Sequence, residues 1–187
     1  DFDELNNKLK KLKPKILYLA HPNNPTGSSM KSKDLIKLIK IHNNILFIID
    51  EAYIEYSKLK SLGTQQNLNS TKNLIIMRTF SKCFGLASLR IGYSLTSKLI
   101  NFNLNKVKNH KSINSIAQLA GLSTFENISY YKKKIKLINV TKNKFVKKLK
   151  NHNISVINTP ANFVLIKSKK KNELIEFLEK RKIFIRN

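Results

Sequence analysis

Three short polar clusters stand out in this 187-residue sequence, because each one follows directly on an apolar run. They are Asn24-Pro25-Thr26-Gly27, Asp50-Glu51-Ala52-Tyr53 and Thr79-Phe80-Ser81-Lys82, the last of which is followed by Arg90. Together these residues offer an amine nucleophile, a fixed anion, neutral hydrogen-bond donors and a guanidinium suited to a phosphate group. A ligand bound among these residues would need chemical groups that match each of them.

Pyridoxal 5'-phosphate is a ligand with those needs. Its aldehyde condenses with an amine, for which Lys82 is the candidate, and its ring nitrogen needs an anion to stay protonated, which suits Asp50. Tyr53 and Asn24 can hold the ring hydroxyl. Three further residues could hold the phosphate: Thr79, Ser81 and Arg90. The sequence therefore predicts a pyridoxal-phosphate site with Lys82 at its centre.

Each of these residues also has an ordinary structural interpretation. Lys82 is one of 32 lysines, most of which must be solvated, so only its neighbours single it out. Asp50 could cap a helix and Tyr53 could belong to the core, while Asn-Pro-Thr-Gly is by itself a common turn. Cys83 has no histidine near it in sequence and is interpreted as a packed small residue. The four histidines lack the spacing of metal ligands, so no metal site is predicted.

The clusters must be positioned by the elements that precede them. Apolar runs predict four strands, over residues 15–20, 45–50, 73–78 and 91–95. A helix from Ser32, as its capping residue, to about residue 42 separates the first two. Because strand ends of the same polarity line one edge of a parallel sheet, the three clusters are expected to converge. The predicted fold class is α/β, with a largely parallel sheet.

The pattern changes in the last third of the chain. Helical periodicity begins near residue 113 and continues in a long lysine-rich helix, and the segments after it are short. They are predicted as a helix over 130–151, strands over 154–157 and 162–166, a helix over 172–182 and a last strand over 183–186. This α+β pattern predicts a domain boundary near residue 125, which divides the chain into 1–124 and a small domain 125–187.

Composition and charge exclude several classes of protein. The formal net charge of +25 would ordinarily suggest a nucleic-acid partner, but the lysines are spread over nearly every predicted exposed face, and no groove-reading element is recognisable. We therefore expect a solvated surface and no nucleic-acid partner. No apolar run approaches a membrane span, and no signal segment is visible. The single cysteine fits a reducing compartment such as the cytoplasm.

The motifs themselves resemble a known family. His-Pro-Asn-Asn-Pro-Thr-Gly, Ile-Asp-Glu-Ala-Tyr and Arg-Thr-Phe-Ser-Lys-Cys-Phe-Gly-Leu-Ala-Ser-Leu-Arg-Ile-Gly-Tyr resemble, in order and spacing, the fold-type-I pyridoxal-phosphate-dependent aminotransferases, and most closely their histidinol-phosphate branch. The resemblance runs along essentially the whole chain. It implies part of the large, mostly parallel sheet domain, followed by part of the small carboxy-terminal domain.

The resemblance also implies residue roles and partners. It makes Lys82 the Schiff-base lysine and general base, and it places Arg186 near the substrate. The implied reaction is transamination of L-histidinol phosphate with 2-oxoglutarate, giving imidazole acetol phosphate and glutamate in histidine biosynthesis, by a homodimer. The family's amino-terminal half and a later carboxylate-binding arginine are not in this sequence, so we expect a carboxy-terminal portion of such an enzyme.

Two alternatives stay open at this stage. The first lies within the same fold and is another aminotransferase or an enzyme like threonine-phosphate decarboxylase. The second belongs to a different class and is a catalytically silent basic fragment that binds nucleic acid, which the charge of +25 motivates.

Overall fold

A four-stranded sheet forms the centre of the structure, a computed structural model that describes residues 1–109 and 111–186. Its strands lie in the order of the chain: β1 (Ile16–Ala20), β2 (Leu46–Asp50), β3 (Leu74–Thr79) and β4 (Gly92–Thr96). The first three strands are parallel and β4 is antiparallel to β3. The carboxyl ends of β1, β2 and β3 therefore meet at one edge, where β4 begins. The predicted α/β class is confirmed.

Two helices cover one face of this sheet. They are α1 (Phe2–Leu12) and α2 (Ser32–Ile41), and their apolar residues pack on the buried side chains of the strands in one core cluster. Alternate residues of β2, Phe47 and Ile49, are fully buried on this side. The other face is open: Ile16 and Tyr18 are 55% and 56% exposed, and Met77 is 40% exposed.

Shorter elements complete the sheet region. They are α3 (Leu62–Gln65), α4 (Lys98–Val107) and α5 (Ser115–Glu126). Ser97 and Asn114 cap α4 and α5, since their side chains accept hydrogen bonds from the first-turn backbone. A second buried cluster, which includes Tyr53, Phe80, Ala117 and Ala161, lies at the carboxyl edge of the sheet. The polar residues of that edge are thus supported by a packed aromatic layer.

The remaining residues form a helix–hairpin–helix unit. It consists of α6 (Ile128–Asn151), the antiparallel strands β5 (Ser155–Asn158) and β6 (Val164–Lys167), and α7 (Lys171–Glu179). The α+β content expected after residue 125 is present. The predicted boundary itself falls in the last turn of α5, and the division into 1–124 and 125–187 stays a prediction.

Several local expectations were wrong. Residues 183–186 form no strand in the described structure. Ser32 is the first helical residue rather than the cap: Lys31 precedes the helix without a side-chain bond, and the Ser32 hydroxyl donates to the carbonyl of Lys60. Helices α1 and α4 had not been predicted, because their lysines and asparagines dilute the apolar periodicity.

No helix among the described residues is both long and apolar enough to cross a membrane. Likewise, no group of three or more metal-binding side chains occurs within 1–109 and 111–186.

Candidate active site

Asn24 and Tyr53 come together although 29 residues separate them. The Asn24 side-chain amide donates to the Tyr53 hydroxyl at 3.1 Å. Asn24 lies in the loop after β1 and Tyr53 in the turn after β2, so the parallel pairing of these strands brings the two loops side by side. The Tyr53 ring is buried and packs edge-on against Phe163, with 5.4 Å between centroids. The hydroxyl is therefore presented from a rigid, packed ring.

Lys82 lies three residues past the end of β3, and its amine reaches the same tyrosine. The Lys82 Nζ lies 5.2 Å from the centroid of the Tyr53 ring. The side chain is exposed, and within the described residues its amine has no hydrogen bond or ion pair. This separates Lys82 from Lys142, for example, whose amine is held by two carbonyls. An unengaged amine beside a fixed phenol is available for covalent chemistry.

Asp50 closes β2 on the open face of the sheet. Its Oδ1 accepts from the backbone N–H of Ala52 at 3.0 Å, and its Oδ2 accepts from the Tyr18 hydroxyl at 2.6 Å. The hydrogen bond to this carboxylate, with burial second, raises the pKa of Tyr18 to about 12. Sequence reasoning missed Tyr18, which lies inside a strand rather than at its end; a tyrosine hydroxyl between two leucines of an apolar run was the available signal.

The predicted phosphate ligands lie at or just beyond the paired ends of β3 and β4. The Thr79 hydroxyl accepts from the backbone N–H of Ser81 at 3.0 Å, and the Phe80 N–H donates to the Ile91 carbonyl at 3.2 Å. Continuing this register places Arg90 opposite Ser81. Arg90 is exposed, has a left-handed backbone with φ of 52°, and donates to the Ala87 carbonyl at 3.0 Å. Ser81 and Arg90 thus lie just beyond the last pair of the ladder, Thr79 with Gly92.

The structure joins most of the predicted residues, but not all of them. Asn24, Tyr53 and Lys82 form one contacting group. The three predicted phosphate ligands lie near the same end of the β3–β4 pair, without a side-chain contact between them. Asp50 belongs to the same sheet edge, since it pairs with Ala20 and Met77, yet its side-chain partner is Tyr18. Arg186 is exposed in the irregular segment after α7, with no hydrogen bond or ion pair to another described residue. Its predicted role near a substrate stays a prediction.

A loop from the helix–hairpin–helix unit packs against the site. Gly27 has φ of +69°, and a Cβ there would lie 2.3 Å from the Cβ of Thr159, so the first cluster packs tightly on this loop. The Lys142 amine donates to the carbonyls of Thr159, at 2.6 Å, and Ala161. Burial lowers the pKa of Lys142. In so lysine-rich a chain, nothing in the sequence marked this lysine.

His21 lies three residues before Asn24 in the chain, and it is 1% exposed. Neither of its ring nitrogens has a partner among the described residues, and burial lowers its pKa below the ordinary value of 6.5. The folded protein therefore favours neutral His21, whereas the unfolded chain binds a proton freely. The free energy of unfolding is therefore at its full value above the pKa that this histidine has in the unfolded chain. It declines as the pH falls below that pKa.

We therefore expect His21→Leu to flatten the acid side of the stability profile. The free energy of unfolding of the parent should fall between about pH 7 and pH 5, and the variant should lose less of it over that range. Urea titrations at each pH measure this difference. His152→Leu is the matched control, because it makes the same replacement at an exposed histidine. A parent-like slope for His21→Leu would show that His21 does not titrate with folding.

The donor set of this edge fits pyridoxal 5'-phosphate. The amine, the carboxylate and the amide–phenol pair suit its aldehyde, ring nitrogen and ring hydroxyl, and the hydroxyls and guanidinium suit its phosphate. The edge is open, since Asn24, Lys82 and Arg90 are all exposed. The clefts of 450, 600 and 290 Å³ in the described structure are lined by other residues.

Comparisons with known proteins agree with this chemistry. A family model described as aminotransferase class I and II matches residues 1–187. The dihydroxyacetone phosphate transaminase of Campylobacter jejuni is 38% identical, over 100% of this chain and 51% of its own length. A histidinol-phosphate aminotransferase of Thermoanaerobacter sp. strain X514 is 35% identical, over 100% of this chain and 52% of its own.

A solved structure has the same fold. The histidinol-phosphate aminotransferase of Sinorhizobium meliloti, in complex with pyridoxal 5'-phosphate, superposes with a TM-score of 0.88 at 25% identity, covering 100% of this chain and 52% of that one. The chain thus spans about half the length of the relatives it matches.

Proposed function

This chain belongs to the class I and II aminotransferase family, and on that basis we propose that it provides the lysine-bearing part of a pyridoxal-phosphate-dependent aminotransferase. The observation that carries the proposal is the free Lys82 amine, 5.2 Å from the ring centroid of Tyr53, whose hydroxyl is held by Asn24. The amine can react with the cofactor's aldehyde, and the phenol and the amide can form hydrogen bonds with the neighbouring ring hydroxyl.

Each residue has a defined task in this proposal. When bound, the cofactor would supply an electron-withdrawing ring that makes a substrate C–H bond acidic. Asp50 provides the negative charge for the ring nitrogen, and its backbone contact with Ala52 keeps the carboxylate oriented. The Asn24–Tyr53 pair would hold the ring hydroxyl, while Arg90, Ser81 and Thr79 would hold the phosphate.

Lys82 has two tasks. Its Nζ would form the bond to the cofactor's aldehyde, and when that bond is not made the same nitrogen would be placed to move a proton of the substrate. The Lys82 side chain is exposed, which leaves space around its amine, whereas the Tyr53 ring is buried and packed against Phe163. Lys82 can then take a proton at one carbon and deliver it at another.

The substrate we propose is L-histidinol phosphate, with 2-oxoglutarate as amino acceptor, giving imidazole acetol phosphate and glutamate in histidine biosynthesis. Its support is that two similar relatives have phosphate esters in their names, histidinol phosphate and dihydroxyacetone phosphate. The second of these is a rival substrate, because the relative named for it is 38% identical to this chain. The shared feature is a small molecule that carries a phosphate ester.

Half-reactions of the full-length protein would decide between these substrates. The cofactor-loaded protein should lose its visible absorbance band on adding L-histidinol phosphate and regain it on adding 2-oxoglutarate. Histidinol without phosphate, aspartate and an aromatic amino acid serve as comparison donors, and dihydroxyacetone phosphate as the rival acceptor. Equal rates with and without the phosphate would contradict the proposed substrate class. Release of carbon dioxide from aspartate or the aromatic amino acid, which unlike histidinol phosphate have a carboxylate to lose, would instead identify a decarboxylase.

Assembly and location follow as part of the same proposal. We propose a homodimer, as the family resemblance implies, acting on small molecules only. A cytoplasmic location is supported by the single cysteine, Cys83, which is buried and unpaired. Sedimentation of the full-length protein would test the dimer.

A further inference from the structure

Three charged side chains are buried directly behind the site and have no task in the proposed chemistry. The guanidinium of Arg78 lies between two carboxylates, 3.3 Å from Glu51 and 2.5 Å from Glu55. The side chains of Arg78, Glu51 and Glu55 are only 14%, 0% and 12% exposed. We call these three residues the buried charge cluster.

The buried charge cluster has further partners on several sides. Glu51 accepts from the Ser61 hydroxyl at 2.6 Å and from the backbone N–H of Leu62 at 2.8 Å. Arg78 also lies against the Tyr93 ring, 6.0 Å from its centroid. Burial raises the pKa of Glu51, and its bonds to Ser61, Leu62 and Arg78 oppose that shift. The carboxylate is therefore held in one orientation by several partners at once.

The members of the cluster adjoin the site residues in the chain. Glu51 follows Asp50 and Arg78 precedes Thr79, so their ion pair joins the ends of β2 and β3 where the chemistry lies. The backbone reinforces this join, since the Glu51 N–H donates to the Met77 carbonyl at 2.9 Å. Glu55 extends the link to the turn that carries Tyr53. The cluster thus connects the Asp50–Tyr53 segment with the Thr79–Lys82 segment.

Stability alone is a poor explanation for the cluster. Buried ion pairs lose hydration that their attraction recovers only in part, and apolar side chains of similar volume often serve as well. This cluster is also incompletely paired: Arg78 Nε and Glu55 Oε2 have no partner among the described residues. It contains two carboxylates and one guanidinium, in a protein with only 11 acidic residues in all. A role in fixing geometry accounts for its position better.

We propose that Arg78 is a positioning residue, which pairs with Glu51 and Glu55 to fix Asp50 and Tyr53 relative to Lys82. This inference rests on the proposed function, because those residues would hold one cofactor between them. A small displacement of reacting groups lowers rates and affinities strongly, so losing the link should be visible even in a folded protein.

The test separates positioning from stability. In the full-length protein, Arg78→Met, Arg78→Lys and the double variant Glu51→Gln/Arg78→Met are compared by melting temperature, by cofactor affinity and by the pH midpoint of the bound cofactor's visible band. Arg181→Met is the matched control, because Arg181 is exposed and contacts only its own helix end.

We expect Arg78→Met to melt earlier and to bind the cofactor about ten-fold or more weakly. The double variant should regain part of the melting temperature, since Glu55 is then the one carboxylate of the cluster left without its cation, but its affinity and pH midpoint should stay altered. Arg78→Lys should melt close to the parent yet bind more weakly, because an ammonium cannot span both carboxylates.

The inference would be overturned if the double variant and Arg78→Lys both bound the cofactor as tightly as the parent and kept the parent's pH midpoint. That result is distinct from failure of the proposed function, in which the parent protein itself would take up no cofactor and the inference would fall with it.

Discussion

Replacing Lys82 with alanine is expected to abolish the visible absorbance band of the bound cofactor and to lower transamination about 10⁴-fold or more. The reason is that, in the proposed function, one nitrogen both holds the cofactor and moves the proton, and no other described amine lies against Tyr53. Absorbance spectra and single-turnover rates of the full-length variant measure both losses.

The fold should be untouched by this change. Lys82 is exposed, and its amine makes no hydrogen bond within the described residues, only the contact with the Tyr53 ring, so the free energy of unfolding should change by less than about 1 kcal/mol. Lys147→Ala is the matched control, since Lys147 is an exposed lysine of α6 far from the site in sequence. A parent-like absorbance band in Lys82→Ala would refute the assignment of this lysine.

Replacing Asp50 with asparagine is expected to have the second largest effect, lowering the rate of the chemical step by about 10²-fold to 10⁴-fold. Asparagine has nearly the same shape and can still accept from the backbone of Ala52, but it lacks the charge that keeps the ring nitrogen protonated. Cofactor affinity should fall much less than the rate. Single-turnover kinetics with an amino donor, combined with a cofactor titration, separate the two quantities.

Tyr18→Phe is the control for Asp50→Asn. It removes the 2.6 Å hydrogen bond to the carboxylate while leaving the charge in place, so it should change the rate far less. If Asp50→Asn kept the parent rate, or if Tyr18→Phe were equally harmful, the role of Asp50 as the essential anion would be wrong.

The elements around the site could be predicted because their signals are local. Apolar runs ending in polar clusters indicated β1, β2 and β3 to within one residue at each end, and the edge that they share followed from parallel pairing. The contact between Asn24 and Tyr53 is a direct consequence, since their loops leave neighbouring strands. Residues at strand ends are thus predictable together with the strands.

Contacts that depend on packing could not be predicted in this way. The pair Arg78–Glu51 joins two strands through side chains that a sequence places only by type, although an arginine in so lysine-rich a chain was a usable signal. Lys142 had no such signal, and its hold on the Thr159 loop depends on how α6 packs. The irregular 183–186 segment was misassigned because an apolar run of that length fits a strand without requiring one.

The identity of the modified lysine tests the central claim most directly. The full-length protein would be loaded with pyridoxal 5'-phosphate, reduced with borohydride to make the linkage permanent, and digested for peptide mass spectrometry. This chain has 32 lysines, so a chance modification would be spread over many of them. The account predicts a cofactor adduct on the peptide containing Lys82 and on no other at comparable yield. A dominant adduct on a different lysine, or none at all, would contradict it.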